Sequence, residues 1–148
     1  MNVDFESSLI YILTQLTNAY RIQLERTMCK IGLHSGQIFI LISLWKIDGQ
    51  SQVDLVKDLN LSAPTINKMV KSLTVNGFVK CQKCPTDGRI MRVFLTDKGK
   101  QCQNIVAEEW VNFESISFSP LTDTEKLILF QLFGKLKTSL KQGFAIES

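Results

Sequence analysis

The chain has 148 residues, of which 45% are hydrophobic, and its formal net charge is +3. This length and composition exclude an intrinsically disordered protein and leave room for one domain with a buried core, while no apolar run approaches the ~20 residues of a membrane-spanning helix. Residues 1–8 carry two acids and no basic cluster, unlike a secretion signal, so a cytoplasmic location is expected.

The positive charge is concentrated in the middle of the chain. Residues 51–100 hold nine Lys or Arg and four Asp or Glu, a net charge of +5, so the remainder sums to −2. A basic middle between mildly acidic ends indicates a localised surface for a polyanion.

Two helices are predicted first. Apolar residues recur at three- and four-residue steps from Glu6 to about Lys30, and Gly32 fits the position just beyond a helix C-terminus. Ser35 is placed to cap a second helix over 36–46, which is apolar on most sides and is therefore expected to be buried.

Two shorter helices and a hairpin follow. Ser51 and Asp54 resemble a capping box for a helix over 52–58, and Ser62 is placed to cap a helix over 62–76. From residue 78 to residue 95 the apolar period changes to two, which predicts two strands.

Turn-forming residues separate these two strands at 85–88. Thr96 is placed to cap a fifth helix that ends near Ser117. Thr122 and Glu125 resemble a capping box for a last helix.

The predicted order is α-α-α-α-β-β-α-α, a mainly α (α+β) fold with a winged helix-turn-helix. We expect a single domain over 1–148, with a winged-helix region at 34–100 and a connecting helix at 97–117. The segments 1–33 and 118–148 are predicted to be dimerisation helices, because their apolar stripes exceed what one small domain can cover.

The helix over 62–76 carries a face suited to reading DNA. Small, polar and basic side chains lie off its apolar stripe. A helix N-terminus attracts phosphate, Asn pairs with adenine edges, and Lys reaches guanine or phosphate. The alternative is an ordinary solvated face. The predicted DNA contacts on this helix are Ser62, Ala63, Pro64, Thr65, Asn67, Lys68 and Lys71.

The hairpin adds four more basic side chains of a single sign of charge. A charged hairpin beside a reading helix fits a wing in the adjacent minor groove, and the alternative is a merely soluble hairpin. The predicted basic contacts of the wing are Lys83, Arg89 and Arg92.

These segments resemble the MarR family (multiple antibiotic resistance regulators) over nearly the whole chain. The similarity is sharpest at 51–59, 61–73, 77–79, 87–89 and 95–99.

The resemblance implies that Asp87 orients Arg89, which reaches into the minor groove. The family usually has an arginine where this chain has Gly88, so weaker binding by the wing is expected. The resemblance further implies a homodimer on near-palindromic DNA, acting as a repressor.

The resemblance also implies that a small aromatic or anionic effector releases the protein from DNA. The candidate effector-binding residues are Tyr20, Arg21, His34, Phe39 and Trp110. The alternatives are core packing for Tyr20, Phe39 and Trp110, a capping or surface role for His34, and a solvated surface charge for Arg21.

Other functions have less support in the sequence. Cys81 and Cys84 form a C-x-x-C, but with a single histidine in the chain we favour free thiols over a redox or metal sensor. A winged-helix adaptor that does not bind DNA is a further alternative. No catalytic motif is present, so we expect no enzyme activity, no cofactor and no metal.

Overall fold

The computed structural model describes residues 4–143. The predicted element order is confirmed with one addition, a short first strand. The elements are α1 (Leu9–Cys29), α2 (Ser35–Lys46), β1 (Gln50–Ser51), α3 (Gln52–Leu59), α4 (Ala63–Val75), β2 (Val79–Lys83), β3 (Met91–Leu95), α5 (Asp97–Ser117) and α6 (Asp123–Gly143).

The chain divides into two compact units, Met1–Trp110 and Val111–Ser148. The first unit contains a three-stranded antiparallel sheet in the order β1-β3-β2. Strand β1 pairs Gln50 with Val93 and Ser51 with Arg92. Two residues are too few to show an alternating pattern, which is why the sequence did not reveal this strand.

Helix α2 lies at the centre of the core of the first unit, as its composition predicted. Ile38, Ile40, Leu41 and Leu44 are buried in it. The surrounding elements contribute further buried side chains, among them Met28, Leu55, Ile66, Leu73 and Val93. The helix-turn-helix, formed by α3 and α4, is therefore held by apolar packing against α2. The faces of α3 and α4 that point away from this core are left exposed.

Most of the predicted helix ends are confirmed by their hydrogen bonds. The Ser51 hydroxyl accepts from the Asp54 N–H at 3.1 Å, and the Asp54 carboxylate accepts from the Ser51 N–H at 3.0 Å. Gly32 has φ +77°, and the Leu33 N–H donates to the Met28 carbonyl at 3.1 Å. That six-residue closure is the Schellman pattern, with glycine in the left-handed position.

The predicted cap of α2 is wrong by one residue. His34, rather than Ser35, is the N-cap, and its main-chain N–H donates to Gln37 Oε1 at 3.0 Å. Ser35 instead donates its main-chain N–H to Glu25 Oε2 at 2.7 Å. The carboxylate that receives this bond lies in α1, ten residues earlier, so local sequence preferences do not show it.

The outer helices expose large apolar side chains in the single chain. On α1 these include Leu9, Ile10, Ile12 and Leu16, and on α6 they include Phe130, Leu132, Leu136 and Leu140. Exposed apolar rows of this length are typical of surfaces that are covered in an assembly. Across residues 4–143, no helix is long and apolar enough to cross a membrane.

Candidate nucleic-acid interface

Helix α4 is amphipathic in the way a reading helix requires. Ile66, Val70 and Leu73 are buried against the core. The polar residues Asn67, Lys68 and Lys71 are exposed on the other side. Because the buried stripe fixes the rotation of the helix, the exposed amide and ammonium groups are fixed as one face.

The N-terminus of α4 is capped by Ser62. The Ser62 hydroxyl accepts from the Thr65 N–H at 3.4 Å, and the two hydroxyl oxygens lie 2.7 Å apart. Ala63 and Pro64 are exposed in the first turn. Small side chains at this end let the backbone approach a phosphate or a base edge closely.

The connection from α3 to α4 is short because Asn60 adopts a left-handed conformation, with φ +52°. Asparagine tolerates this region better than most residues other than glycine. The turn sets the direction in which α4 leaves α3, and therefore the direction in which the exposed polar face of α4 points.

The wing is the β2–β3 hairpin with residues 84–90 at its tip. The Cys84 N–H donates to the Ile90 carbonyl at 2.8 Å and closes the loop. Asp87 Oδ1 accepts from the main-chain N–H of Arg89 at 3.0 Å. The aspartate thus fixes the backbone from which the exposed Arg89 side chain leaves.

Arg92 differs from the other predicted contacts. It is half-buried in β3, opposite Gln82 and close to the wing tip, where its Nη1 donates to the Gly49 carbonyl at 2.9 Å and its Nε donates to Cys84 Sγ at 3.4 Å. The guanidinium therefore ties the wing to the turn before β1. Its contact with DNA stays a prediction, and it is the one that the structure favours least.

The remaining predicted DNA contacts lie on the surface. All are exposed except Thr65, which is half-buried. The exposed set is Ser62, Ala63, Pro64, Asn67, Lys68, Lys71, Lys83, Asp87 and Arg89.

The wing also holds the thiol with the most altered acidity. The Arg92 guanidinium, followed by the Thr86 hydroxyl, lowers the pKa of Cys84 to about 6. All four cysteines are free thiols, and Cys84 is buried whereas Cys81 is half-buried. The sequence does not show the hydrogen bonds that join Arg92 to Cys84 and to Gly49, because Arg92 and Gly49 are 43 residues apart in the chain.

The five candidate effector residues are only partly brought together. Phe39 and Trp110 contact each other edge to face, with ring centroids 6.2 Å apart. Tyr20 is half-buried and Arg21 is exposed, both on α1. His34 is exposed and lies against Glu25, with Nδ1 and Oε1 2.5 Å apart. Their role in binding an effector stays a prediction.

Comparison with known proteins supports the winged-helix interpretation. The MarR family model matches residues 33–91, which include α2, the helix-turn-helix and the wing up to the start of β3. The resemblance to the MarR family is confirmed. The HTH-type transcriptional regulator YdgJ of Bacillus subtilis is 23% identical over 135 residues, covering 91% of this chain and 80% of YdgJ.

Solved structures of transcriptional regulators share the fold. The PcaV regulator of Streptomyces coelicolor, in complex with its natural ligand, gives a TM-score of 0.83 at 23% identity over 95% of this chain and 99% of PcaV. A putative MarR family regulator of Listeria monocytogenes, complexed with a 26mer DNA, gives 0.81 at 19% identity over 93% of this chain and 91% of that protein. The predicted winged-helix fold is therefore confirmed.

Proposed function

We propose that this MarR-type regulator binds DNA as a homodimer and represses transcription by occupying a near-palindromic operator. The observation that carries the proposal is the face of α4 on which Asn67, Lys68 and Lys71 are exposed. Beside it in the sequence lies the wing, where Asp87 fixes the backbone of Arg89. A cytoplasmic location follows from this proposal, because the operator lies there.

The charge distribution supports DNA as the partner. The net charge of +5 over residues 51–100 coincides with the helix-turn-helix and the wing. A non-DNA adaptor would have no need of such a face, because the affinity for DNA comes largely from neutralising phosphates. The Listeria protein with the same fold was solved with DNA.

The homodimer is supported by the exposed apolar rows of α1 and α6. A two-fold axis would let identical rows cover one another, which is the commonest arrangement of soluble homo-oligomers. Each operator half-site would then face one α4 and one wing.

The proposal includes release of the DNA by a small aromatic or anionic effector. The contact between Phe39 and Trp110 supplies an aromatic surface in the first unit, and Phe39 is 41% exposed. PcaV, which shares the fold, was solved with its natural ligand. Tyr20, Arg21 and His34 remain candidates for the same role.

Binding to the duplex upstream of the coding region tests the proposal. Fluorescence anisotropy at increasing salt is expected to give a log–log slope of about −0.9 per phosphate contact. Arg89→Ala removes the wing cation and is expected to weaken binding about 10-fold, within the ~1–3 kcal/mol typical of one arginine contact.

Lys137→Ala is the matched control, because it removes one positive charge from α6, outside the basic segment. Its affinity is expected to equal that of the unmodified chain. Equal binding by Arg89→Ala at every salt concentration would remove the wing from the proposal.

A peroxide-responsive regulator is the second candidate, because the Arg92 contact lowers the pKa of Cys84 to about 6 and so favours its reactive thiolate. Oxidation of this sulfur would disturb its hydrogen bond from Arg92 Nε. The same guanidinium donates to the Gly49 carbonyl, so the link between the wing and the turn before β1 would be disturbed as well. If so, peroxide should weaken DNA binding by the unmodified chain and leave Cys84→Ser unaffected. A Cys84→Ser variant that loses DNA binding on oxidation as fully as the unmodified chain would exclude this function.

A further inference from the structure

Three side chains of different chemistry converge where α1 ends and α2 begins. Glu25 and Cys29 lie one helical turn apart near the end of α1, and His34 is the N-cap of α2. The turn through Gly32 brings the chain back, so that one oxygen, one sulfur and one nitrogen all lie within 4.8 Å of one another.

We propose that Glu25, Cys29 and His34 form a binding site for a divalent transition metal, with Zn²⁺ as the preferred ion. Carboxylate, thiolate and imidazole are the three ligand classes that Zn²⁺ takes in proteins. A softer ion would favour a site in which most ligand atoms are sulfur, and a harder ion would favour one in which most are oxygen.

The spacing of the three ligand atoms fits one ion. A tetrahedron with ordinary zinc bond lengths has ligand-to-ligand edges of about 3.4–3.6 Å. Cys29 Sγ lies 3.4 Å from Glu25 Oε1 and 4.0 Å from His34 Nδ1, while His34 Nδ1 lies 2.5 Å from Glu25 Oε1. Binding therefore needs His34 Nδ1 to move about 0.9 Å away from Glu25 Oε1 and roughly 0.4 Å closer to Cys29 Sγ, which side-chain rotation can supply.

The groups around the site hold its ligands in position. The Ser35 main-chain N–H donates to Glu25 Oε2, which leaves Oε1 towards Cys29 and His34. The N–H of His34 is bonded to Gln37, which fixes the backbone that carries the imidazole. Such outer contacts orient metal ligands and strengthen the affinity of a site.

The surrounding groups also set the charge of the carboxylate ligand. The contact with His34, followed by the Ser35 N–H, lowers the pKa of Glu25 to about 2, so this ligand is charged at neutral pH.

Solvent reaches the site, because Cys29 and His34 are exposed. Three protein ligands with an open fourth position would be completed by water. Between residues 4 and 143, no other trio of His, Cys, Asp or Glu ligand atoms is grouped in this way, and Cys81 and Cys84 are not part of the set. A bound ion would tie the end of α1 to the start of α2.

Cobalt substitution tests the site on the reduced full chain without DNA. Co²⁺ bound by a thiolate absorbs strongly in the near ultraviolet, and Zn²⁺ should displace it. We expect one Co²⁺ per chain with this absorption. Cys29→Ser should abolish the absorption, and His34→Gln should weaken Co²⁺ affinity at least ~10-fold.

Cys84→Ser is the matched control, because Cys84 is the thiol whose low pKa makes it the competing soft ligand. It should bind Co²⁺ as the unmodified chain does, and circular dichroism of each metal-free variant should show the unchanged fold. The proposal would be overturned if the unmodified chain showed no thiolate absorption with Co²⁺. It would also be overturned if the absorption survived in Cys29→Ser and was lost in Cys84→Ser.

Discussion

At the scale of single residues, Gly99 in the first turn of α5 has the least room to change. A Cβ built there would lie 2.1 Å from the carbonyl oxygen of Phe78, which is backbone and cannot rotate away. The carbonyl of Gly99 also accepts from Trp45 Nε1 at 2.9 Å. The glycine therefore sets the distance between α5 and the start of the wing.

Gly99→Ala is expected to lower the free energy of unfolding by about 2 kcal/mol, because the close contact forces the backbone to move. Helix propensity alone predicts the opposite sign, a gain of ~1 kcal/mol. Urea unfolding at fixed protein concentration measures the difference.

Ala107→Gly is the reverse control in the same helix, at an exposed position, and should cost ~1 kcal/mol. A Gly99→Ala variant at least as stable as the unmodified chain would show that α5 does not pack this closely on Phe78.

At the scale of elements, the sequence was informative wherever a local signal exists. The capping boxes at Ser51 and Thr122 set the starts of α3 and α6, because their hydrogen bonds span only three residues. The sequence predicts Ser35 as the cap of α2, but His34 holds that position, because the main-chain N–H of Ser35 is bonded to Glu25 of another helix. Local preferences predict an element well and predict its contacts with distant parts of the chain poorly.

Helix α6 carries the element-scale prediction. Leu136 is 49% exposed in the single chain, and we expect the dimer interface to cover it. Leu136→Glu would place a charge in that interface and should weaken dimerisation at least ~10-fold, because burying an unpaired charge is costly. Sedimentation over a range of protein concentrations measures the dissociation constant.

Thr138→Glu is the matched control, since a side chain two positions away on a helix points to a different face. It should leave the dimer intact. A monomeric unmodified chain, or a Leu136→Glu variant that dimerises as tightly as the unmodified chain, would contradict the role of this surface.

At the scale of the whole molecule, the exposed face of α4 could be deduced from the sequence, because the side chains that pack into the core determine which side of the helix faces solvent. Once Ile66, Val70 and Leu73 are assigned to the core, Asn67 and Lys71 must face away from it. The role of Arg92 could not be deduced in the same way, because its partner Gly49 is brought close only by the pairing of β1 with β3. The cluster of Glu25, Cys29 and His34 likewise depends on a turn between two helices.

The central claim is that two copies of this chain read DNA together, and selection from a random-sequence duplex pool by the purified full chain tests it most directly. The selected DNA should contain two inverted half-sites whose centres lie about one helical turn, ~10–10.5 base pairs, or a multiple of it apart. A symmetric dimer that reads DNA would be contradicted if no sequence were enriched at low salt. It would also be contradicted if the selected DNA contained a single half-site without its inverted copy.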